Sequence, residues 1–155
     1  MRWSEIDRQD CSIAHALSVV GDRWTLMVLR EAFLRVRRFE DLQARTGAPR
    51  PILAERLKVL VDNGVLERRQ YSERPDRFEY RLTEKGLDLY PVMVSLLRWG
   101  DRWLTDRKGP PVELRHKGCG HTMHPELACP ACGDWVEARD VEAVARRSTA
   151  EARAS

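Results

Sequence analysis

The periodicity of apolar residues changes from helical to strand-like at Asn63-Gly64, and that change is the strongest constraint on the fold of this chain. Before the pair, apolar residues recur at helical spacing, which predicts helices over residues 12–20, 24–34, 39–45 and 49–63. After it, residues 65–71 and 78–82 have strand character, and the turn-rich sequence between them predicts a β-hairpin with a charged tip. We therefore expect a mainly α, α+β domain with one hairpin.

Local signals support these boundaries. Asp22 offers an N-cap for the second helix, which is apolar on most faces and should lie at the centre of the domain. The fourth helix is predicted to begin near Pro49, because proline is favourable at the first helical position, and Pro51 also falls within the first turn. Asn63-Gly64 is a typical C-cap.

Two short helices joined by a tight turn and followed by a basic hairpin predict a winged helix-turn-helix. The second helix of that motif enters the major groove of DNA, and here it is the helix from Pro49. Its leucines at 53, 57 and 60 should face the core and leave the opposite side outward. The hairpin tip adds basic residues suited to phosphates or the minor groove. The predicted DNA-contacting residues are Arg50, Pro51, Ala54, Arg56, Lys58, Arg74 and Arg77.

The distribution of charge is compatible with this prediction. Residues 34–85 contain 13 basic and 9 acidic residues, whereas the whole chain has a net charge of only +3. Arginine forks suit phosphates and base edges better than an ammonium group does. The alternative for any single arginine is a solvated surface charge.

A last long helix is predicted from Thr83 to Leu104, with a kink at Pro91. Its apolar residues form two stripes, so that one side can cover the core and the other can pair with a second subunit. One stripe contains Leu87, Tyr90, Val94 and Leu97, and the other contains Leu89, Val92, Leu96, Trp99 and Trp103.

Gly109-Pro110-Pro111 marks a boundary, which gives predicted regions at 1–108, 112–138 and 139–155, the last Ala/Arg-rich and expected to be flexible. The middle region contains His-Lys-Gly-Cys and Cys-Pro-Ala-Cys, each followed by glycine. We expect a zinc-ribbon-like tail with structural zinc on His116, Cys119, Cys129 and Cys132. His121 and His124 compete for the fourth position, and a degenerate ribbon without metal, held by packing of Trp135, is the alternative.

Several ordered blocks between residues 11 and 104 resemble the HxlR-type transcriptional regulators. They are CSIAHALSVVGDRWTLMVLREAF, RRFEDLQ, ILAERLKVLVDNGVLERR, FEYRLTEKG and LLRWGDRW. The resemblance implies a winged-helix homodimer that binds inverted-repeat operators and responds to small molecules or reactive species. It also implies dimer contacts from the N-terminal segment and the helix from Thr83.

Cys11 stands just before the first helix, where some members of this family carry a redox or electrophile sensor. The N-terminus of a helix favours the thiolate, which is the reactive form of cysteine. The other interpretation is a small residue that packs the first helix against the core.

The leading functional hypothesis is a cytoplasmic, sequence-specific DNA-binding regulator that acts as a homodimer. The alternative is a winged-helix protein-interaction module with a structural zinc ribbon.

An enzyme is not expected, because the chain has no phosphate loop, nucleophile motif or open three-ligand metal site. A membrane protein is not expected either, since no apolar run approaches the roughly 20 residues of a span, and the first ten residues do not resemble a secretory signal.

Overall fold

The computed structural model describes residues 11–73, 76–105 and 109–144. The chain divides into two units between Leu104 and Thr105, and each is described by itself. Residues 145–155, which make up most of the end expected to be flexible, lie outside the described residues. No helix among the described residues is long and apolar enough to cross a membrane.

The first unit is a winged helix-turn-helix, as the sequence predicts. Its helices are α1 (Ser12–Val20), α2 (Arg23–Phe33), α3 (Phe39–Thr46), α4 (Arg50–Asp62), α5 (Glu84–Leu87) and α6 (Tyr90–Leu104). Its strands, β1 (Leu66–Glu73) and β2 (Asp76–Leu82), form an antiparallel hairpin. The first four helices and the hairpin begin and end close to the predicted residues.

The core forms where α2 meets α4, and it confirms the predicted central position of α2. Val28 and Leu29 of α2 are fully buried against the leucines of α4 at positions 53, 57 and 60. Asp22 caps α2 as predicted, since its Oδ1 accepts hydrogen bonds from the backbone N–H of Trp24 at 2.8 Å and of Thr25 at 3.3 Å.

A buried carboxylate connects α2 to α3. The side chain of Glu31 is only 3% exposed, and its Oε2 accepts a hydrogen bond from Nε of Arg45 at 2.6 Å. Its Oε1 pairs with Arg30 at 2.6 Å. Because a buried carboxylate without partners is costly, this pairing favours one position of α3 on α2.

The hairpin is joined to the helices on its β2 edge. Leu66 pairs with Leu82 and Gln70 with Phe78 across the hairpin. The backbone N–H of Tyr80 donates to the carbonyl of Arg37 at 2.8 Å, and Arg38 forms an isolated antiparallel bridge with Glu79. The segment that leads into α3 thus pairs with the hairpin and fixes it beside α3.

The prediction of one kinked helix from Thr83 to Leu104 is wrong. The chain forms the short helix α5, turns at Asp88-Leu89 and begins a new helix at Tyr90. Proline lacks an N–H and its ring clashes with the carbonyl four residues earlier. Pro91 is therefore accommodated in the first turn of α6, where no internal hydrogen bond is lost.

The helix α6 has one side against the core and one exposed apolar side. Val94 is buried, and Leu89, just before α6, packs against the core. These two residues were predicted on different stripes, whereas Leu87 and Tyr90, which share the predicted stripe of Val94, are 50% and 40% exposed. The break before α6 explains the difference, because it changes the rotation of the residues around it. The exposed apolar residues of α6 are Tyr90, Val92, Leu96, Trp99, Trp103 and Leu104.

The second unit contains two short turns of the same shape. Isolated antiparallel bridges join Arg115 to Thr122 in the first turn and Ala128 to Trp135 in the second.

A close approach at Gly86 generates a stability prediction. A Cβ at this buried residue would clash with the backbone oxygen of Val65, so either α5 or the segment that leads into β1 would have to move. We expect Gly86→Ala to lower the free energy of unfolding by about 1–3 kcal/mol, measured by urea denaturation. Gly100→Ala is the control, because nothing lies within 4 Å of its added Cβ. It should be neutral or stabilising by up to about 1 kcal/mol. Equal effects of the two substitutions would contradict this packing.

Candidate nucleic-acid interface

The exposed side of α4 carries most of the residues predicted to contact DNA. The turn Gly47-Ala48-Pro49 connects α3 to α4, and Gly47 adopts a left-handed conformation at φ 70°. Pro49 is the N-cap of α4 rather than its first helical residue, because its ψ of 138° is extended. Burial of the three α4 leucines leaves one continuous face exposed. That face contains Arg50, Pro51, Ala54, Glu55 and Lys58.

Arg50 and Lys58 lie at opposite ends of this face and have different partners. The guanidinium carbon of Arg50 lies 4.7 Å from the centroid of the Phe39 ring, so the first residue of α3 positions the first residue of α4. Lys58 pairs with Asp62 one turn further along α4, and both side chains are more than half exposed. An exposed pair of this kind contributes little to stability, so the ammonium group is easily redirected to a phosphate.

Arg56 lies on the flank of α4, as predicted, and its surroundings differ from those of the exposed face. Its side chain is 22% exposed and its Nη2 lies 2.6 Å from Oε1 of Glu55. Its Nε is buried without a hydrogen-bond partner among the described residues. Arg56 also borders a hollow formed by the N-terminus of α2, including Asp22 and Trp24. It lies apart from the groove described next.

A groove of about 590 Å³ lies between the N-termini of α3 and α4 and the hairpin. We call it the wing groove. Four arginines line it: Arg38, Arg50, Arg68 and Arg77. Sequence analysis identified Arg50 and Arg77, and it missed Arg38 and Arg68. Arg74, the other predicted residue of the hairpin tip, lies outside the described residues.

Aromatic rings hold the two missed arginines in place. The guanidinium carbon of Arg68 lies 3.6 Å from the centroid of Phe78, and that of Arg38 lies 4.9 Å from the centroid of Tyr71. Arg68 and Phe78 are diagonal neighbours, since Gln70 is the residue paired with Phe78. The sequence signal for the role of Arg68 was therefore an arginine and an aromatic residue on opposite strands. Recognising the pair required the register of the hairpin, which the sequence analysis did not have.

The arginines of the wing groove are not paired with the carboxylates that also line it. Three carboxylates also line it: Glu40, Asp41 and Asp76. The first two lie in the first turn of α3, where the helix dipole favours negative charge, and the third accepts a hydrogen bond from Gln70 at 2.9 Å. Among the described residues, none of the four arginines forms a salt bridge with a carboxylate. Four guanidinium groups whose donors are not taken up by carboxylates can bind phosphates.

Cys11 is the N-cap residue of α1 and its side chain makes no capping hydrogen bond. Its thiol is free and exposed. Exposure does not support the interpretation that Cys11 packs the first helix against the core.

The four residues predicted to bind zinc form two pairs in the second unit. Nδ1 of His116 lies 3.3 Å from Sγ of Cys119. The pKa of the Cys129 thiol is lowered because the backbone N–H groups of Cys132 and Ala131 and the Cys132 side chain donate hydrogen bonds to it. Among the described residues no three candidate ligands lie together as a metal-binding group.

Comparison with known proteins agrees with this architecture. Residues 19–108 match the family model described as HxlR-like helix-turn-helix. The HTH-type transcriptional regulator Rv3095 of Mycobacterium tuberculosis, itself uncharacterized, is 50% identical over 130 residues, covering 84% of this chain and 82% of its own. The HTH-type regulator sll1512 of Synechocystis is 36% identical and covers 61% of this chain and 70% of its own.

Solved structures show the same fold. The crystal structure of PA1607 has a TM-score of 0.80 and 31% identity, and the match covers 91% of this chain and 98% of that one. The reduced form of the transcriptional regulator YodB from Bacillus subtilis has a TM-score of 0.52 and 30% identity, covering 62% of this chain and 96% of that one. These relatives confirm a regulator rather than an enzyme. The chain belongs to the HxlR-like helix-turn-helix family of transcriptional regulators.

Proposed function

We propose that this chain is a homodimeric, sequence-specific regulator in which α4 reads the major groove and the wing groove holds the adjacent backbone. The observation that carries the proposal is the continuity of two surfaces. The exposed side of α4 leads into a groove lined by four arginines that no carboxylate pairs with among the described residues. Arg50 belongs to both surfaces and is the candidate for a bidentate contact to guanine.

The proposed dimer uses the exposed apolar side of α6. Trp99 is 57% exposed and Trp103 is 63% exposed, and both lie on the helix that the sequence analysis assigned to subunit contacts. Two tryptophans exposed on one helix are expensive to leave in water. A dimer would present two α4 helices about 34 Å apart, as an inverted-repeat operator requires.

Arg50 and Lys58 provide the first test. We expect the Arg50→Ala, Lys58→Ala double variant to lose the genomic footprints of the wild-type protein, because a base contact worth about 1–3 kcal/mol and a phosphate contact are removed together. Footprinting with both purified proteins measures this directly. Unchanged footprints would refute the assignment of α4 as the recognition helix.

Arg68 and Arg69 are a matched pair for testing the wing groove, since they are adjacent on β1 and only Arg68 lines the groove. Arg68→Ala should reduce the affinity for every DNA sequence. It should also lower the slope of log affinity against log salt concentration by about 1. Arg69→Ala should have a smaller effect on both the affinity and the slope. Fluorescence anisotropy at several salt concentrations measures both quantities. A salt-independent interaction with DNA would instead favour the protein-interaction alternative.

Negative charge introduced on the exposed apolar side of α6 tests the proposed dimer. Trp99→Glu, Trp103→Glu should shift the mass in solution from twice 18.0 kDa to a single chain, and operator affinity should fall with it. Leu34→Glu is the control, because Leu34 is 54% exposed at the end of α2 and lies outside α6. A wild-type protein that sediments as a monomer would contradict the proposed dimer.

A redox response is proposed through Cys11, whose exposed thiol is open to oxidants and electrophiles. Two of the solved structures sharing this fold are of YodB, in its reduced form, and of the redox regulator HypR. We expect diamide to change the operator affinity of the wild-type protein and to leave Cys11→Ser unchanged. An equal response from both proteins would exclude Cys11 as the sensor.

A further inference from the structure

The second unit contains one turn motif twice, thirteen residues apart. In the first copy, the N–H of Gly120 donates to the carbonyl of His116 at 2.7 Å and the N–H of His116 donates to His121 at 2.9 Å. In the second copy, Gly133 donates to Cys129 and Cys129 donates to Asp134, both at 2.8 Å. The two turns therefore have the same pattern of backbone hydrogen bonds, and we call them the first and second knuckle.

Each knuckle presents two metal-ligand side chains in the same positions. The pairs are His116 with Cys119 and Cys129 with Cys132. The residue after each pair is a glycine with positive φ, 75° at Gly120 and 80° at Gly133, a conformation that costs other residues about 1–2 kcal/mol. That conformation lets the chain reverse its direction, so that the residues flanking each knuckle form an antiparallel bridge.

The first knuckle is adapted to a histidine. A Cβ at Gly118 would lie 3.0 Å from Cε1 of His116, so a glycine leaves room for the imidazole. The second knuckle has Ala131 at the matching position, beside the smaller Cys129. His121 occupies the position of Asp134, and His124 lies beyond both bridged residues of the first knuckle. His116 is thus the histidine in a ligand position.

The second unit has too little core to hold two knuckles by packing alone. No described residue between 109 and 144 is buried, and Trp135 and Leu127 are 69% and 71% exposed. A unit of about 40 residues or fewer commonly needs a disulfide or a metal ion. The three cysteines of the unit are free thiols, and the exposure of Trp135 removes the packing that a metal-free ribbon would require.

We propose that the two knuckles bind one structural zinc ion through His116, Cys119, Cys129 and Cys132. Three thiolates and one imidazole suit Zn²⁺ and complete a tetrahedron, which leaves no open position for water. The described residues hold the ligands as two preformed pairs, and zinc binding draws the two knuckles together. Because the unpaired knuckles bury so little, the free energy of metal binding is also the free energy of folding of this unit.

The test is metal analysis of the full chain purified under reducing conditions. We expect about one zinc per chain in the wild-type protein. Substitution by Co²⁺ should give the absorption of a tetrahedral site with sulfur-to-cobalt charge transfer. The variants Cys129→Ser and Cys119→Ser should lose most of the metal, whereas Cys11→Ser, outside the unit, should retain it. A wild-type protein that neither contains zinc nor binds added Zn²⁺ or Co²⁺ would overturn the proposal.

Histidine substitutions identify the fourth ligand. His116→Ala should weaken zinc binding at least tenfold, as measured by competition with a chelator. His116→Cys should restore it and strengthen the charge-transfer band, since four thiolates then bind the metal. His121→Ala and His124→Ala should behave as the wild type. Loss of metal on replacing either of these, with His116→Ala unaffected, would contradict the assigned ligand set.

Discussion

The carboxylate of Glu31 is the interaction on which the DNA-binding part of this fold depends. It lies in the core at the end of α2, and arginines on two helices neutralise it. A carboxylate removed from water tolerates little displacement of its partners, because losing one leaves an uncompensated buried charge. The position of Arg45 fixes α3 against α2, and the three-residue turn after α3 then sets where α4 begins. The direction in which the exposed side of α4 faces therefore depends on a contact between two other helices, α2 and α3.

The same arrangement brings the hairpin next to the helix-turn-helix. Arg38 is the residue at the junction, since it precedes α3, bridges to Glu79 of β2 and lies over Tyr71 of β1. One residue thus links the entrance of α3 to both strands. Stacking on aromatic rings restricts three of the four arginines of the wing groove without using their N–H donors, and restricted donors lose less entropy on binding a phosphate. The geometry explains how residues of α3, α4 and the hairpin line one groove.

Much of this fold could be predicted from residue patterns, because the patterns are local. Leucine spacing gave the buried side of α4, the Asp22 cap gave the start of α2, and the change of period gave the hairpin. The break before α6 was missed because the helical spacing of apolar residues continues across it. Pro91 signals a disturbance of the helix, but its steric effect is satisfied either by a kink or by a new helix that begins nearby. As a result, Leu87 and Tyr90, predicted to share one stripe with the buried Val94, are exposed.

The amino-acid sequence by itself determined the first four helices, the hairpin and which side of α4 faces outward. Each of these follows from spacing along a few turns of one element. Only the tertiary structure decided that Arg38 and Arg68 join Arg50 and Arg77 in a single groove, and that Arg56 faces a different hollow. Residues from four elements meet there through the hairpin register and the packing of α3, and such long-range contacts leave no periodic pattern in the chain.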